Sequence, residues 1–308
     1  MNVLITGGTG LIGRPLTRRL AELGHQVTVL SRKPGLHLAA PGVTLAGWDG
    51  HTTAGWGELV ETSDVIINLA GENLGESRWT SERKAQIMSS RLDCGWAVSE
   101  AVQAAAHKPA LLIQASAVGY YGPCDDRPLD ESAPAGKDWP ARVCVQWEDS
   151  TRTVEELGVR RVVLRTGLVL TARGGALQRL LLPFRLYAGG PLGSGRQYWS
   201  WIALEDEVDA IIHLMQNPAA SGVYNLTAPN PVPMSEFGRV LADVLRRPYW
   251  LPVPGFGLKA LLGEMSTVVL DGQRVLPRRL LDLGYTFHYD QLRPALQAAL
   301  ARSTVNES

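Results

Sequence analysis

The sequence predicts an α/β fold, a Rossmann-type doubly wound parallel sheet with a smaller C-terminal lobe. Three observations predict it. Short apolar strands alternate with helical stretches through the first half of the chain. A glycine-rich turn joins the first strand to the first helix. After about residue 170 the alternation yields to Gly-Gly pairs at 174–175 and 189–190 and to prolines at 229, 231 and 233.

Asn2 to Thr6 reads as a buried strand, and glycines follow it at once. Leu11, Ile12, Leu16, Leu20 and Leu23 fall on one helical face, with Gly24 closing the helix. Gln26 to Leu30, Val43 to Ala46 and Val65 to Leu69 are the next three strands. A helix runs from about Thr80 to Ala106 and stops before Pro109. Leu111 to Ala115 is the fifth strand and Val162 to Leu164 the sixth. The nucleotide-binding domain spans 1–215, its segment after about 170 forming cleft walls, and the terminal lobe spans 248–298.

Composition excludes several classes. Of 308 residues, 45% are hydrophobic and 19% charged, enough apolar mass for a full core. Thirty basic residues balance thirty acidic ones, which argues against nucleic acid or an anionic membrane as partner. No apolar run nears the roughly 18 residues of a membrane span, and no leader precedes the first strand, so a cytoplasmic protein is expected. Cys94, Cys124 and Cys144 lack paired spacing and read as reduced thiols. The six histidines, His37 among them, show no ligand spacing, so no structural metal is expected.

Thr6-Gly-Gly-Thr-Gly-Leu-Ile-Gly13 is the sharpest signal. Gly7, Gly10 and Gly13 let backbone N–H groups and a helix N-terminus approach a pyrophosphate, and the last lets helix and strand pack closely. The end of the second strand selects the dinucleotide. An NAD site commonly places an acid there, whereas this chain reads Leu30-Ser31-Arg32-Lys33. Arg32 suits a forked contact with a 2′-phosphate, Ser31 a hydrogen bond to it, and Lys33 adds charge. NADP(H) is therefore the expected cofactor. Asp49, past the third strand, is placed either at the adenine edge or in a simple turn.

With these residues the chain resembles an extended short-chain dehydrogenase/reductase, and more narrowly the YfcH-like epimerase family. The motifs are SRKP at 31–34, NLAGEN at 68–73, SRL at 90–92, GYYG at 119–122, LRTGLVL at 164–170, GGPLGSGRQY at 189–198 and GQRVLPRRL at 272–280. The resemblance implies NADP(H) contacts at Gly7, Gly10, Leu11, Ile12, Gly13, Ser31, Arg32, Leu69 and Ala70. It also brings the chain past the nicotinamide near Val169. It sets Arg91 beside the cleft, either as a phosphate partner or as a helix-surface charge. Trp201-Ile202-Ala203 stands where the family usually has Trp-Ile-His.

The superfamily's proton relay, Ser/Thr with Tyr-xxx-Lys, is incomplete. No tyrosine here has a lysine four residues on, and the expected helix reads Ala141-Arg-Val-Cys-Val-Gln-Trp-Glu148, with apolar residues, Gln146 and Trp147 in the pair's place. The remaining candidates are Ser116 with Tyr120 or Tyr121, both tyrosines otherwise being packing residues, and after them Cys124 or Cys144. Arg165 either binds an anionic substrate or braces its loop. Asp125-Asp126 and Asp130-Glu131 read as a solvated acidic loop, and Trp79, Trp96, Trp139, Trp147 and Trp250 as packing.

Two function classes follow. One is an NADP(H)-dependent oxidoreductase or nucleoside-diphosphate-sugar epimerase-like enzyme on an unknown small molecule. The other is an NADP(H) sensor or interaction module with little turnover. The segment from about Phe184 onward is expected to cover the cleft, with Gly189 to Gly195 draped over the cofactor beside Trp199 and Trp201. The competing arrangement makes the terminal 60 residues a homodimer contact.

Overall fold

A computed structural model describes residues 1–33 and 41–304, and Pro34 and His37 lie outside them. The chain runs β1 (Asn2–Thr6), α1 (Gly13–Glu22), β2 (Gln26–Ser31), β3 (Val43–Gly47), β4 (Val65–Asn68), α2 (Ser81–Ala104), β5 (Leu111–Ala117), β6 (Pro128–Leu129), α3 (Trp139–Asp149) and β7 (Arg160–Thr166). It continues through β8 (Leu168–Leu170), α4 (Gly175–Arg185), β9 (Tyr198–Trp199), β10 (Trp201–Ala203), α5 (Leu204–Gln216) and β11 (Gly222–Leu226). Last come β12 (Val232–Pro233), α6 (Met234–Leu245), α7 (Gly255–Leu262), α8 (Thr267–Leu270), β13 (Arg274–Val275), α9 (Arg278–Asp282) and α10 (Leu292–Thr304).

Seven strands make one parallel sheet in the order β3-β2-β1-β4-β5-β7-β11. The continuous apolar runs fit this, because the sheet is buried on both faces. Alternation then assigns each side chain to a layer. Val3, Ile5, Val65, Ile67, Leu111 and Ile113 pack with Leu16 and Leu20 of α1 and Val208 and Ile211 of α5. Leu4, Ile66 and Leu112 face the opposite way, onto Val98, Ala101 and Val102 of α2. Each buried aliphatic side chain contributes roughly 1.5–3 kcal/mol. The chain winds outward from β1 and then returns to β4, so the crevice opens beyond the ends of those two strands.

Several expectations are corrected. Leu11 and Leu23 do not extend the buried face of α1, because Leu11 belongs to the preceding turn and Leu23 caps the helix; both are exposed. The fifth strand continues to Ala117 and so contains Ser116. The sheet does not end before residue 215. Its last strand, β11, lies beyond that point and pairs with β7. The sequence after 170 is regular as well, with helices α4 to α6 in it. Trp96 and Trp250 are exposed and do not pack in a core. Glu131 is not a solvated charge, since its carboxylate accepts from the backbone N–H of Asn225 and of Arg279. Among the described residues no helix is long and apolar enough to cross a membrane.

The terminal lobe docks on the sheet's carboxyl side. β13 pairs in parallel with β6. Glu264 meets Lys84 at the start of α2, Arg78 donates to the Ala260 carbonyl at 3.2 Å, and Met265 packs with Trp79 and Trp139. The Gly189–Gly195 segment is tied to this lobe: the Gly189 carbonyl accepts from Trp250 and Leu251, and the Gly193 N–H donates to Val253. Trp199 and Trp201 are buried within the C-terminal core and offer no face to the crevice.

A candidate dinucleotide site and a buried polar network

The turn after β1 is shaped by contacts only glycine permits. Gly7 has φ +68°, and a Cβ there would lie 2.8 Å from the Leu69 carbonyl. A Cβ on Gly13 would lie 2.2 Å from the Gly7 carbonyl oxygen, so the third glycine serves the packing of α1. A polar chain holds the neighbouring strand ends. The Thr6 hydroxyl donates to Asn68, Asn68 to Gln114, and the Ala70 N–H donates back to Thr6. No side chain caps α1 and no acid lies in its first turn. The positive end of the α1 dipole is therefore left uncompensated by side chains, although the Arg14 and Leu16 N–H groups are bonded to the Gly10 and Ile12 carbonyls and Pro15 has none.

A cavity of about 240 Å³ opens beside this turn. Gly7, Gly10, Ser31, Arg32, Leu69 and Ala70 line it, joined by Trp48, Asp49, Glu72 and Cys94. Six sequence candidates thus converge on one space. Apart from Asp49, which reaches the same space, the others do not line it. Leu11 lies against Gly174 and Gly175, Ile12 packs into the core and Gly13 is buried behind the turn. Lys33 is exposed at the rim. Val169 sits in β8 opposite Ile202, and its side chain is buried in the core. Asp49 spends its carboxylate on its own turn, accepting from Thr52 and His51; these bonds, the Thr52 hydroxyl first, hold its pKa down at about 2.

Arg91 is neither exposed nor a cavity wall. It stacks on Trp147 and donates to the carbonyls of Ile87 and Glu72, each at 3.0 Å, and burial lowers its pKa. It therefore props the loop that follows β4.

The catalytic candidates belong to a second constellation. The Ser116 hydroxyl donates to Glu148 Oε1 at 2.7 Å. Arg165 holds the same carboxylate through two bonds, Nε to Oε1 at 2.8 Å and Nη2 to Oε2 at 2.9 Å. Its third arm donates to the Tyr121 hydroxyl at 3.1 Å, which itself donates to Asn225 at 2.7 Å. The guanidinium lies 3.2 Å from the Tyr120 ring centroid. Arg165 thus braces the interior, and its charge is already paired. Burial pushes the Tyr121 hydroxyl up to about 12, so it keeps its proton at neutral pH. Tyr120 is only half-buried.

The helix expected to carry Tyr-xxx-Lys, α3, is not apolar inside. Cys144 and Glu148, four residues apart on α3, both point to Ser116. Burial raises the Cys144 thiol to about 12, and burial also raises that of Cys124, so neither is a ready thiolate. Glu148 and Asn225 went unread in the sequence. The spacing from Cys144 would have flagged the first, whereas Asn225 reaches Tyr121 only through the pairing of β11 with β7.

Residues 3–227 match the NAD dependent epimerase/dehydratase family, and residues 253–299 match a domain of unknown function, DUF1731. The chain is similar to the Arabidopsis thaliana protein named epimerase family protein SDR39U1 homolog, chloroplastic, at 42% identity over 97% of this chain and 87% of the relative. Epimerase family protein YfhF of Bacillus subtilis is 41% identical over 99% of this chain and all of its own length. The crystal structure of human epimerase family protein SDR39U1 with NADPH superposes with a TM-score of 0.85 at 34% identity, covering 98% of this chain and 99% of that one.

Proposed function

This chain belongs to the NAD dependent epimerase/dehydratase family, and we propose that it is an NADP(H)-binding atypical short-chain dehydrogenase/reductase, an oxidoreductase or epimerase-like enzyme acting on a small molecule. The narrower YfcH-like kinship is part of the same proposal. One observation carries the cofactor: the wall of the glycine-turn cavity ends in Ser31 and Arg32 where an NAD site keeps an acid. The fit extends to the rest of the cavity. The Gly7–Gly10 backbone suits a pyrophosphate, and Leu69 and Ala70 line the continuing wall. The human relative described with NADPH supports the same assignment. These residues would hold the adenosine and pyrophosphate part of the cofactor, which when bound would supply hydride chemistry through its nicotinamide.

NADPH is expected to bind more tightly than NADH, and Arg32→Ala to weaken NADPH by tenfold or more. A charge-assisted contact contributes roughly 1.5–3 kcal/mol. Calorimetric titration checks this. Equal affinities for the two cofactors, or an unchanged affinity in the variant, would defeat it.

The second reading, a cofactor sensor with little turnover, is favoured by the engaged hydroxyls of Ser116 and Tyr121. A screen of NADPH oxidation with sugar nucleotides, quinones and aldehydes separates the two. On any accepted substrate, Ser116→Ala and one of Tyr120→Phe or Tyr121→Phe should slow turnover by about 10²–10⁴ while cofactor affinity holds. Wild-type rates in all three variants would place the chemistry elsewhere.

A further inference from the structure

Arg32 and Glu72 reach toward each other from opposite walls of the cavity. Arg32 follows β2 and Glu72 follows β4, with β1 and its glycine turn between them. Arg32 Nη1 lies 3.3 Å from Glu72 Oε1. The two partners differ in freedom. The Glu72 N–H donates to the Ser90 hydroxyl at 3.1 Å, and its carbonyl accepts from Arg91 at 3.0 Å. Its second carboxylate oxygen faces Arg83, whose Nη1 is 3.4 Å away. Arg83 is itself held by the Asn73 carbonyl and Glu76. Glu72 is therefore a placed carboxylate. Arg32 is 70% exposed, its stem passing over Gly50, and it is the arm that swings.

We infer that Glu72 competes with the cofactor's 2′-phosphate for Arg32, and so sets how strongly NADPH is preferred over NADH. This rests on the NADP(H) reading above. A guanidinium that forks a phosphate uses the same N–H groups that reach Glu72. The bond to Glu72 is single and draws Arg32 across to the β4 side. It must break before Arg32 turns back toward Ser31, its sequence neighbour. An exposed pair of this kind is weak, so it tunes affinity without abolishing it. NADH carries no 2′-phosphate and does not ask Arg32 to move.

Titration of NADPH and NADH into wild type, Glu72→Gln, Arg32→Ala and the double variant tests this. Glu72→Gln is expected to tighten NADPH roughly two- to fivefold and to leave NADH unchanged. Glu72→Ala should act in the same direction. In the Arg32→Ala background the gain should vanish, since the competed-for group is gone. Unchanged or weaker NADPH binding in Glu72→Gln overturns the inference, as does a gain that persists without Arg32. If Arg32→Ala weakens NADPH while Glu72→Gln is silent, only the competition fails. If Arg32→Ala binds NADPH like wild type, the 2′-phosphate reading itself fails.

Discussion

Glu148→Ala is expected to destabilise the fold by about 3–5 kcal/mol, the range for breaking a buried ion pair from one side. The carboxylate accepts from the Ser116 hydroxyl and twice from Arg165. Removing it leaves the Arg165 guanidinium buried with its charge unmatched, since its remaining partners are a tyrosine hydroxyl and the Tyr120 ring. Glu148→Gln keeps the shape and one acceptor but also leaves the Arg165 charge unmatched and sets an amide NH2 against a donor, so it too should be destabilised. Urea unfolding of the three proteins measures this. A Glu148→Ala protein within about 1 kcal/mol of wild type would show that the network carries little of the stability.

Glu207→Gln is expected to change how stability depends on pH. Glu207 lies at the start of α5 and is fully buried. Thr166 donates to one carboxylate oxygen at 2.8 Å, and the other has no hydrogen-bond partner. Burial pushes its pKa from 4.5 to about 8. The folded state thus holds a proton that the unfolded chain has already released above about pH 4.5. Stability from this group is fully present below that value and is lost as pH rises through about 8. The slope is about 1.4 kcal/mol per pH unit, so the window amounts to roughly 4–5 kcal/mol. Glutamine has no proton to lose. The difference between variant and wild type should grow in the variant's favour from pH 5 to pH 8 and then level off. Parallel stability profiles for the two proteins would refute the raised pKa.

The helix α5 carries its own helical pattern, Val208, Ile211, Ile212 and Met215 behind an acidic first turn, but not its tertiary anchors. Its Asp206 side chain accepts from the backbone of His288 and Tyr289, and the Tyr285 hydroxyl donates to its carbonyl at 3.0 Å. Sequence periodicity does not register such contacts, because their partners lie some 80 positions away along the chain. The same holds for β11. Gly-Val-Tyr-Asn-Leu is short and carries a polar residue, so nothing local marks it as a sheet strand. Its place depends on the exposed edge of β7.

The strands β1 to β5, the glycine turn and the absence of an acid after β2 are all local patterns, and the amino-acid order alone settles them. Continuous apolar runs favour burial on both faces, and a glycine at position 7 permits the positive φ that the turn adopts. Charge partnerships are different. Arg165, Arg91 and Arg32 look alike as isolated letters. The fold pairs the first with Glu148, sets the second under the Glu72 carbonyl and leaves the third exposed on the cavity wall. Which cation is spent on the interior and which stays exposed in a weak pair within reach of a ligand depends on burial and on partners distant in sequence, so only the packed structure decides it.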